Sequence, residues 1–302
     1  MSDLKIAFGM IVFEGDYVLR QCLEQVYPFA DQILIAEGPV TYWQSKGFTT
    51  STDNTNEILD SFPDPENKIK IVHGQFKEKD DQCRAYMDFI NDDIDYLWNL
   101  DSDEVYKTQD LGNIVEFLKH EKPTSLGVRS CSFYGGFDRY LTGFELNTDN
   151  FLRIFRVTKG STWLTHRPPT IKYPDGCSIQ RKHINSDQLY EALGFQMYHY
   201  SYVFPDQVYK KVSYYKDSVS KDLCIDNYFS KVYLPWVTGG RDQKQQIEEI
   251  YLGVHEFKPH VRGECYTSSF GGYTEHHPAA ITKNMVHLED KFENQLTKYI
   301  GD

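Results

Sequence analysis

Asp101 and Asp103 stand one residue apart, directly after the apolar run from Tyr96 to Leu100. Two carboxylates at i and i+2 beyond a buried strand leave a sheet together at its edge. Hard divalent cations such as Mg²⁺ and Mn²⁺ prefer oxygen donors, and Mg²⁺ takes one or two carboxylates while phosphate oxygens complete its shell. The pair therefore suits an ion that bridges protein to a diphosphate and neutralises charge on a departing phosphate. The competing reading is an acidic turn that caps the next helix, and Asp-x-Asp is common by chance. Placement in the fold decides between them.

The surrounding sequence supplies that placement. Leu4 to Phe13 is a nearly continuous apolar run, as a strand buried on both faces requires. Glu14 to Tyr27 reads as a helix with Val18, Leu19, Cys22, Leu23 and Val26 on one face, ended by Pro28. Gln32 to Ala36 is a second strand that stops at Glu37-Gly38-Pro39. Asp53 to Phe62 (helix), Lys68 to His73 (strand), Lys77 to Ile90 (helix) and Tyr96 to Leu100 (strand) continue the alternation. Such a rhythm predicts a mostly parallel, Rossmann-like sheet flanked by helices, with right-handed crossovers. Ligands on such sheets bind beyond the C-terminal strand ends, where Glu37 and the 101–103 triplet fall. The polar stretch from Gly38 to Thr52, anchored by Tyr42 and Trp43, is either a lid over a ligand or a static loop packed by its own aromatics.

Further along, Asp110 to His120 reads as a helix, and Ser125 to Tyr134, Asn150 to Val157 and Phe195 to Val203 as strands. Pro205 opens a helix at a position where proline is tolerated. Beyond Asp222 the pattern loosens, with one clear helix from Asp242 to Leu252. The expected division is a catalytic domain over 1–220 and a less regular extension over 221–302, a candidate acceptor-binding region.

A net charge of −12 excludes a nucleic-acid binder, which needs a basic stripe. It also means that an anionic ligand needs a metal ion or a few placed Lys and Arg side chains. The six cysteines contain no C-x-x-C, so neither a zinc knuckle nor a disulfide framework follows. No apolar stretch reads as a signal peptide or a membrane span, and a cytoplasmic location is expected. The 22 Tyr and 19 Phe suit either a carbohydrate-lined surface or a tyrosine-rich core. His255-Glu256, His260 and His276-His277 show no ligand spacing.

Taken in order, several segments resemble the nucleotide-sugar-binding half of family 2-type glycosyltransferases, which have the GT-A fold. They are the first strand followed by Glu14, the second strand ending in Glu37, and Ser51-Thr52-Asp53-Asn54-Thr55, similar to the family's STDNT segment. Arg84 on the third helix and Leu100-Asp101-Ser102-Asp103-Glu104, similar to LDxDE, follow. The likeness continues through Arg153-Ile154-Phe155-Arg156, Trp163 and His199-Tyr200-Ser201-Tyr202, and covers about two-thirds of the chain. It implies a metal-dependent transfer of a sugar from a UDP-, GDP- or dTDP-linked donor to a glycan or other hydroxyl acceptor. Asp101 and Asp103, with His199 as a further ligand, would hold Mn²⁺ or Mg²⁺. Glu37 would contact the nucleotide, with Arg84, Ser102 and Lys211 contributing to donor binding. Arg84 pairing with Asp80, Asp81 or Asp88, Asp53 as a helix cap and Lys211 in a solvated basic face are the competing structural readings.

Several inverting relatives carry W…HE where this chain has Trp163 and His166-Arg167-Pro168-Pro169. Arg167 thus occupies the position of the base, and a guanidinium cannot accept a proton. Either another residue (His166, Asp149, Asp175 or Glu191) is the base, or anomeric configuration is retained and none is needed; Arg167 then stabilises the departing diphosphate. The alternatives to transfer are a sugar nucleotidyltransferase, for which the single Gly9 and absence of a basic residue in Phe8–Phe13 are unfavourable, a non-catalytic carbohydrate-binding protein on the same fold, and a metal-dependent phosphohydrolase.

Overall fold

The computed structural model describes residues 4–141, 151–177, 179–218, 227–251, 261–262, 265–266 and 270–301. In chain order the elements begin β1 (Ile6–Val12), α1 (Leu19–Val26), β2 (Gln32–Glu37), α2 (Thr41–Gln44), α3 (Thr55–Ser61), β3 (Ile69–His73), α4 (Lys79–Met87), β4 (Tyr96–Asp101), β5 (Glu104–Val105) and α5 (Thr108–Glu121). They continue with β6 (Ser125–Gly127), β7 (Arg129–Tyr134), β8 (Arg139–Leu141), β9 (Leu152–Arg156), β10 (Thr162–His166), β11 (Pro169–Lys172), β12 (His183–Ile184), α6 (Ser186–Leu193), β13 (Gln196–Tyr202) and α7 (Pro205–Ser218). Helices α8 (Leu234–Thr238), α9 (Arg241–Ile250), α10 (Ala279–Lys283) and α11 (Met285–Ile300) follow.

The chain forms two compact units that interleave in sequence. The first comprises 1–129, 148–197 and 278–280, and the second 130–147, 198–277 and 281–302. The sequence reading placed one boundary at 220; the units instead change over at several points, the first between Arg129 and Ser130. The run from Ser125 to Tyr134, read as one strand, is broken at Val128 into β6 and β7, beside that changeover.

The first unit is the expected α/β body. Its seven-stranded sheet has the order β12-β6-β9-β4-β1-β2-β3. Strands β4, β1, β2 and β3 are mutually parallel, and β9 runs antiparallel between β4 and β6. Strands β1 and β2 are buried throughout, in keeping with the apolar runs Ile6–Val12 and Ile33–Ala36. Phe8 stacks on Trp98 at 5.1 Å between ring centroids, and Trp98 Nε1 donates to Tyr106 Oη at 3.4 Å beneath the sheet's end. Helix α1 begins at Leu19 rather than at Glu14, because Glu14 takes a left-handed φ of 51° in the turn after β1.

In the second unit β13, β7, β8 and the Phe270–Gly272 strand lie side by side. Its core joins Tyr134, Tyr202, Tyr228, Tyr233 and Trp236, all buried, with the Tyr134 and Tyr228 hydroxyls 2.8 Å apart. Here the abundant tyrosine is core. Helix α11, which the sequence reading left among loops, buries Leu288, Phe292 and Leu296 at four-residue spacing. Among the described residues no helix is long and apolar enough to cross a membrane.

Candidate active site

Strand register brings the acidic residues of the first unit to one edge. Val12 pairs with Glu37 and Ile11 with Asp101, so the ends of β2 and β4 flank the end of β1. Asp101 closes β4, Ser102 and Asp103 form a two-residue turn, and Glu104 opens β5. Asp101, Ser102 and Asp103 are partly exposed, whereas Glu104 is buried. Gly15 lies against this turn: a Cβ there would stand 2.6 Å from the Val12 side chain and 3.0 Å from Ser102 Oγ. Only glycine lets the β1–α1 turn approach so closely.

Arg153, from the middle of β9, organises the acidic turn. Its Nε lies 3.0 Å from both Glu104 carboxylate oxygens, its Nη2 also donates to Glu104, and Nη2 lies 2.9 Å from Asp101 Oδ2. A planar guanidinium can serve two carboxylates at once in this way. Burial alone would lower the Arg153 guanidinium, but Glu104 and Asp101 outweigh it and hold it well above its usual value. The triplet and the residue after it are therefore not equivalent. Glu104 is a buried counter-charge, and Asp101 and Asp103 are partly exposed. As two carboxylates at i and i+2 on a sheet-edge turn, they have the chemistry that a hard divalent cation accepts. Among the described residues no three of His, Cys, Asp and Glu gather as a ligand set.

The STDNT segment lies over the same edge. Glu14 accepts from the Thr52 amide, from Thr52 Oγ1 at 2.9 Å and from the Asp53 amide at 3.3 Å. In return the amides of Glu14, Gly15 and Asp16 donate to Ser51 Oγ (2.9 Å), Thr55 Oγ1 (2.8 Å) and Asp53 Oδ2 (3.2 Å). Glu37, expected at the nucleotide, is only 1% exposed. Its oxygens accept from the Ser51 amide at 2.9 Å and the Thr50 hydroxyl at 3.3 Å, and lie 3.1 Å from His73 Nδ1. In this structure Glu37 anchors the 50–51 backbone. The dozen intervening residues thus loop out and return, restoring in space the adjacency that the sequence lacks. They form α2 and a cluster in which Trp43 meets Phe13, Tyr42 and Phe48. Asp53 Oδ1 accepts from the Thr55 amide at 3.0 Å, and burial, with Asp16 and Glu14 nearby, raises its carboxyl.

Arg84 is committed to the protein. It lies 2.8 Å from Asp81 Oδ1 and donates to the Trp163 and Leu164 carbonyls at 3.4 and 3.1 Å, so it fastens α4 to β10. The residue expected to reach a phosphate therefore takes the ion-pair alternative, for which the i, i+3 spacing was already a signal.

His166 ends β10, with its amide donating to Asp80 Oδ1 at 2.6 Å and its Nδ1 3.8 Å from Cys83 Sγ. Burial pushes the imidazole down to about 3, Lys79 adds to that, and the Asp101 charge opposes it. At neutral pH the ring is uncharged. Arg167 is exposed in the cis Arg167–Pro168 connection to β11. His199 and Lys211 belong to the second unit. His199 is buried in β13, and Lys211 Nζ lies 4.7 Å from the centre of the Tyr202 ring. Asp149, His255, Glu256 and His260 lie outside the described residues. Sequence reasoning assigned no role to Arg153, Glu104 or Cys83, and named Asp80 only as a candidate partner of Arg84. The available signal was Arg153 itself, a charged residue between Leu152 and Ile154 in a short strand.

Residues 49–186 match the profile of the family described as Glycosyl transferase family 2. The matched segment contains 51–55, the acidic turn, Arg153 and His166-Arg167; it bears out the resemblance read from the motif order. No curated protein matches the chain. Among solved structures, S. aureus TarS 1–349 in complex with UDP-GlcNAc is 12% identical with a TM-score of 0.36, covering 51% of this chain and 45% of that one. S. aureus TarS 1–349 is 11% identical with a TM-score of 0.40, covering 69% and 63%. S. aureus TarS is 10% identical with a TM-score of 0.38, covering 83% and 44%. The chain thus spans less than two thirds of the length of each of these three structures.

Proposed function

We propose that this glycosyltransferase family 2-like enzyme moves a sugar from a nucleotide-diphosphate donor to a hydroxyl acceptor, a glycan in the first instance. The observation that carries the reading is the partly exposed Asp101–Asp103 turn at the C-terminal sheet edge, backed by Arg153 and bordered by the 51–53 segment, inside the region that matches the family. Asp101 and Asp103 would hold Mn²⁺ or Mg²⁺, which supplies positive charge to the diphosphate as it departs.

The chain's own residues do the rest. Arg153 fixes the orientation of Asp101 through its Oδ2. The 51–53 backbone, its amides held by Glu37 and Glu14, forms a fixed border to that edge. Arg167, in place of the base of inverting relatives, is a permanent cation and serves the leaving diphosphate rather than the acceptor proton.

Screening UDP-, GDP- and dTDP-sugars with Mn²⁺ for thermal stabilisation and donor hydrolysis tests this. A true donor should raise the melting temperature by mass action. If no nucleotide-sugar stabilises the protein or is turned over, the reading fails.

A further inference from the structure

Glu37 carries the acidic group expected at the nucleotide, yet its carboxylate is buried and already occupied by Ser51 and Thr50. The residue beside it is neither. His73 ends β3 in register with Glu37, and its side chain is 52% exposed. His73 Nδ1 lies 3.1 Å from Glu37 Oε2, and this is the one side-chain hydrogen bond of His73 among the described residues.

That partner decides which nitrogen of His73 carries hydrogen. Glu37 accepts from the Ser51 amide and the Thr50 hydroxyl, as an ionised carboxylate does. Imidazole is a stronger base than a carboxylate, so the hydrogen shared between them sits on Nδ1. A neutral ring then keeps its lone pair on Nε2. The two ring nitrogens are one carbon apart and their hydrogen-bond directions diverge. A ring that turns Nδ1 to a buried carboxylate therefore turns Nε2 away from it, and in this half-exposed side chain that is the solvent side.

The position lies on the ligand edge of the sheet. Strands β4, β1, β2 and β3 are adjacent in that order and parallel, so Asp101 and His73 mark the two ends of one row of strand C-termini. Three strand spacings separate them, roughly 14 Å. Beyond β4 the next strand, β9, is antiparallel, and the row stops. A nucleoside diphosphate with its phosphates at the acidic turn and its base on the same row carries that base towards β3.

We infer that His73, oriented by Glu37, reads the base of the donor nucleotide: Nε2 accepts from a ring N–H, which selects uracil, thymine or guanine over cytosine and adenine. The first three present N–H at the ring nitrogen of their Watson–Crick edge. The other two present a lone pair there, which would face the lone pair of Nε2. Glu37 is a positioning residue in this arrangement, and His73 touches the nucleotide. The inference rests on the proposed transfer function for the identity of the ligand, while the tautomer is a property of the protein alone.

The probes are two pairs matched in size, UDP with CDP and GDP with ADP, titrated calorimetrically with Mn²⁺ at about pH 8, where an unperturbed imidazole is neutral. In the pair that binds, the N–H base should be favoured by about 10-fold or more, the scale of one directed hydrogen bond. His73→Phe removes the acceptor and should bring that ratio towards one. His73→Gln, whose amide can turn either its oxygen or its nitrogen to the base, should also lose the preference and serves if the Phe variant does not fold. A role confined to covering Glu37 would weaken both members of a pair alike and leave the ratio unchanged. In ¹⁵N-histidine NMR of the free full chain, the His73 signals, identified among the ten histidines by their loss in His73→Gln, should show hydrogen on Nδ1 alone. If none of the four nucleotides binds the wild type, the transfer reading fails and this inference with it. If one binds, but Nε2 carries hydrogen, the pair is not discriminated or the His73 variants keep the wild-type ratio, the transfer reading stands and this inference is overturned.

Discussion

Arg153 Nη2 lies 2.9 Å from Asp101 Oδ2, while the same guanidinium is locked at 3.0 Å to the buried Glu104. The first carboxylate of the pair is thus set by a side chain from the antiparallel neighbour β9, more than fifty residues away in sequence. Breaking one partner of a buried pair leaves the other charge without compensation. Arg153→Met should cost about 3–5 kcal/mol of stability. The double variant Arg153→Met with Glu104→Gln should recover much of it. Urea denaturation of the three proteins measures both effects, and a single variant as stable as wild type would refute the role assigned to the pair.

Asp103 sits on the partly exposed turn. Asp103→Ala should change stability by about 0.5 kcal/mol or less, as surface substitutions do. Metal-dependent turnover should drop by about 10²-fold or more, as for a lost electrostatic stabiliser. Direct Mn²⁺ titration separates this from misfolding: wild-type ion affinity in the variant would remove Asp103 from the metal site.

Glu37 has a scaffolding duty that can be measured without substrate. Removing a buried carboxylate that accepts from the Ser51 amide should cost about 1–3 kcal/mol. In Glu37→Ala the Ser51 amide should exchange with deuterium much faster, while β1 amides remain protected. Unchanged protection at Ser51 would contradict the anchoring seen here.

Asp64 supplies a pH signature at the start of β3. Its carboxylate accepts from the Lys68 amide (2.8 Å), the Ile69 amide (2.9 Å) and the Tyr27 hydroxyl (2.8 Å). Burial opposes ionisation, but the Ile69, Lys68 and Tyr27 bonds outweigh it and hold the carboxyl below its ordinary value. A depressed carboxyl contributes stability above its unfolded value, and that contribution is lost as pH falls through the folded one. Asp64→Asn should therefore be less stable than wild type at neutral pH, with the gap closing in acid below the ordinary carboxylate range. Thermal melts across pH read this directly; a gap independent of pH would show that ionisation of Asp64 contributes nothing.

Much of the first unit was legible because its signals are local. Apolar runs mark β1, β2 and β4, since a strand buried on both faces is mostly apolar, although β4 carries the buried Asn99 and β2 ends on the buried Glu37. The acidic triplet follows the last of them. Helix boundaries were less legible. Glu14 looked like a helix start because acidic residues favour that position, yet its carboxylate is drawn to the amides of Thr52 and Asp53, and no local pattern encodes a partner thirty-eight residues away. Glu37 likewise had the right type and strand for a ligand contact, but Ser51 and His73, far from it in sequence, surround it, while Arg84 pairs with Asp81 three residues before it and also reaches the Trp163 and Leu164 carbonyls.

The order and chemistry of the motifs, the alternation of strand and helix, and the shortage of basic residues are properties of the chain read one window at a time. They determined the α/β class, the sheet edge that carries Asp101 and Asp103, and the resemblance to family 2. Tertiary structure decided which charged groups face outward. Burial of Glu104 and Arg153 follows from β9 lying antiparallel to β4, and the return of Ser51 to Glu37 follows from the loop between them. Each depends on a desolvated contact between residues far apart in sequence, where an unpaired charge or donor is costly, and that cost exists only once the fold has removed water from both partners.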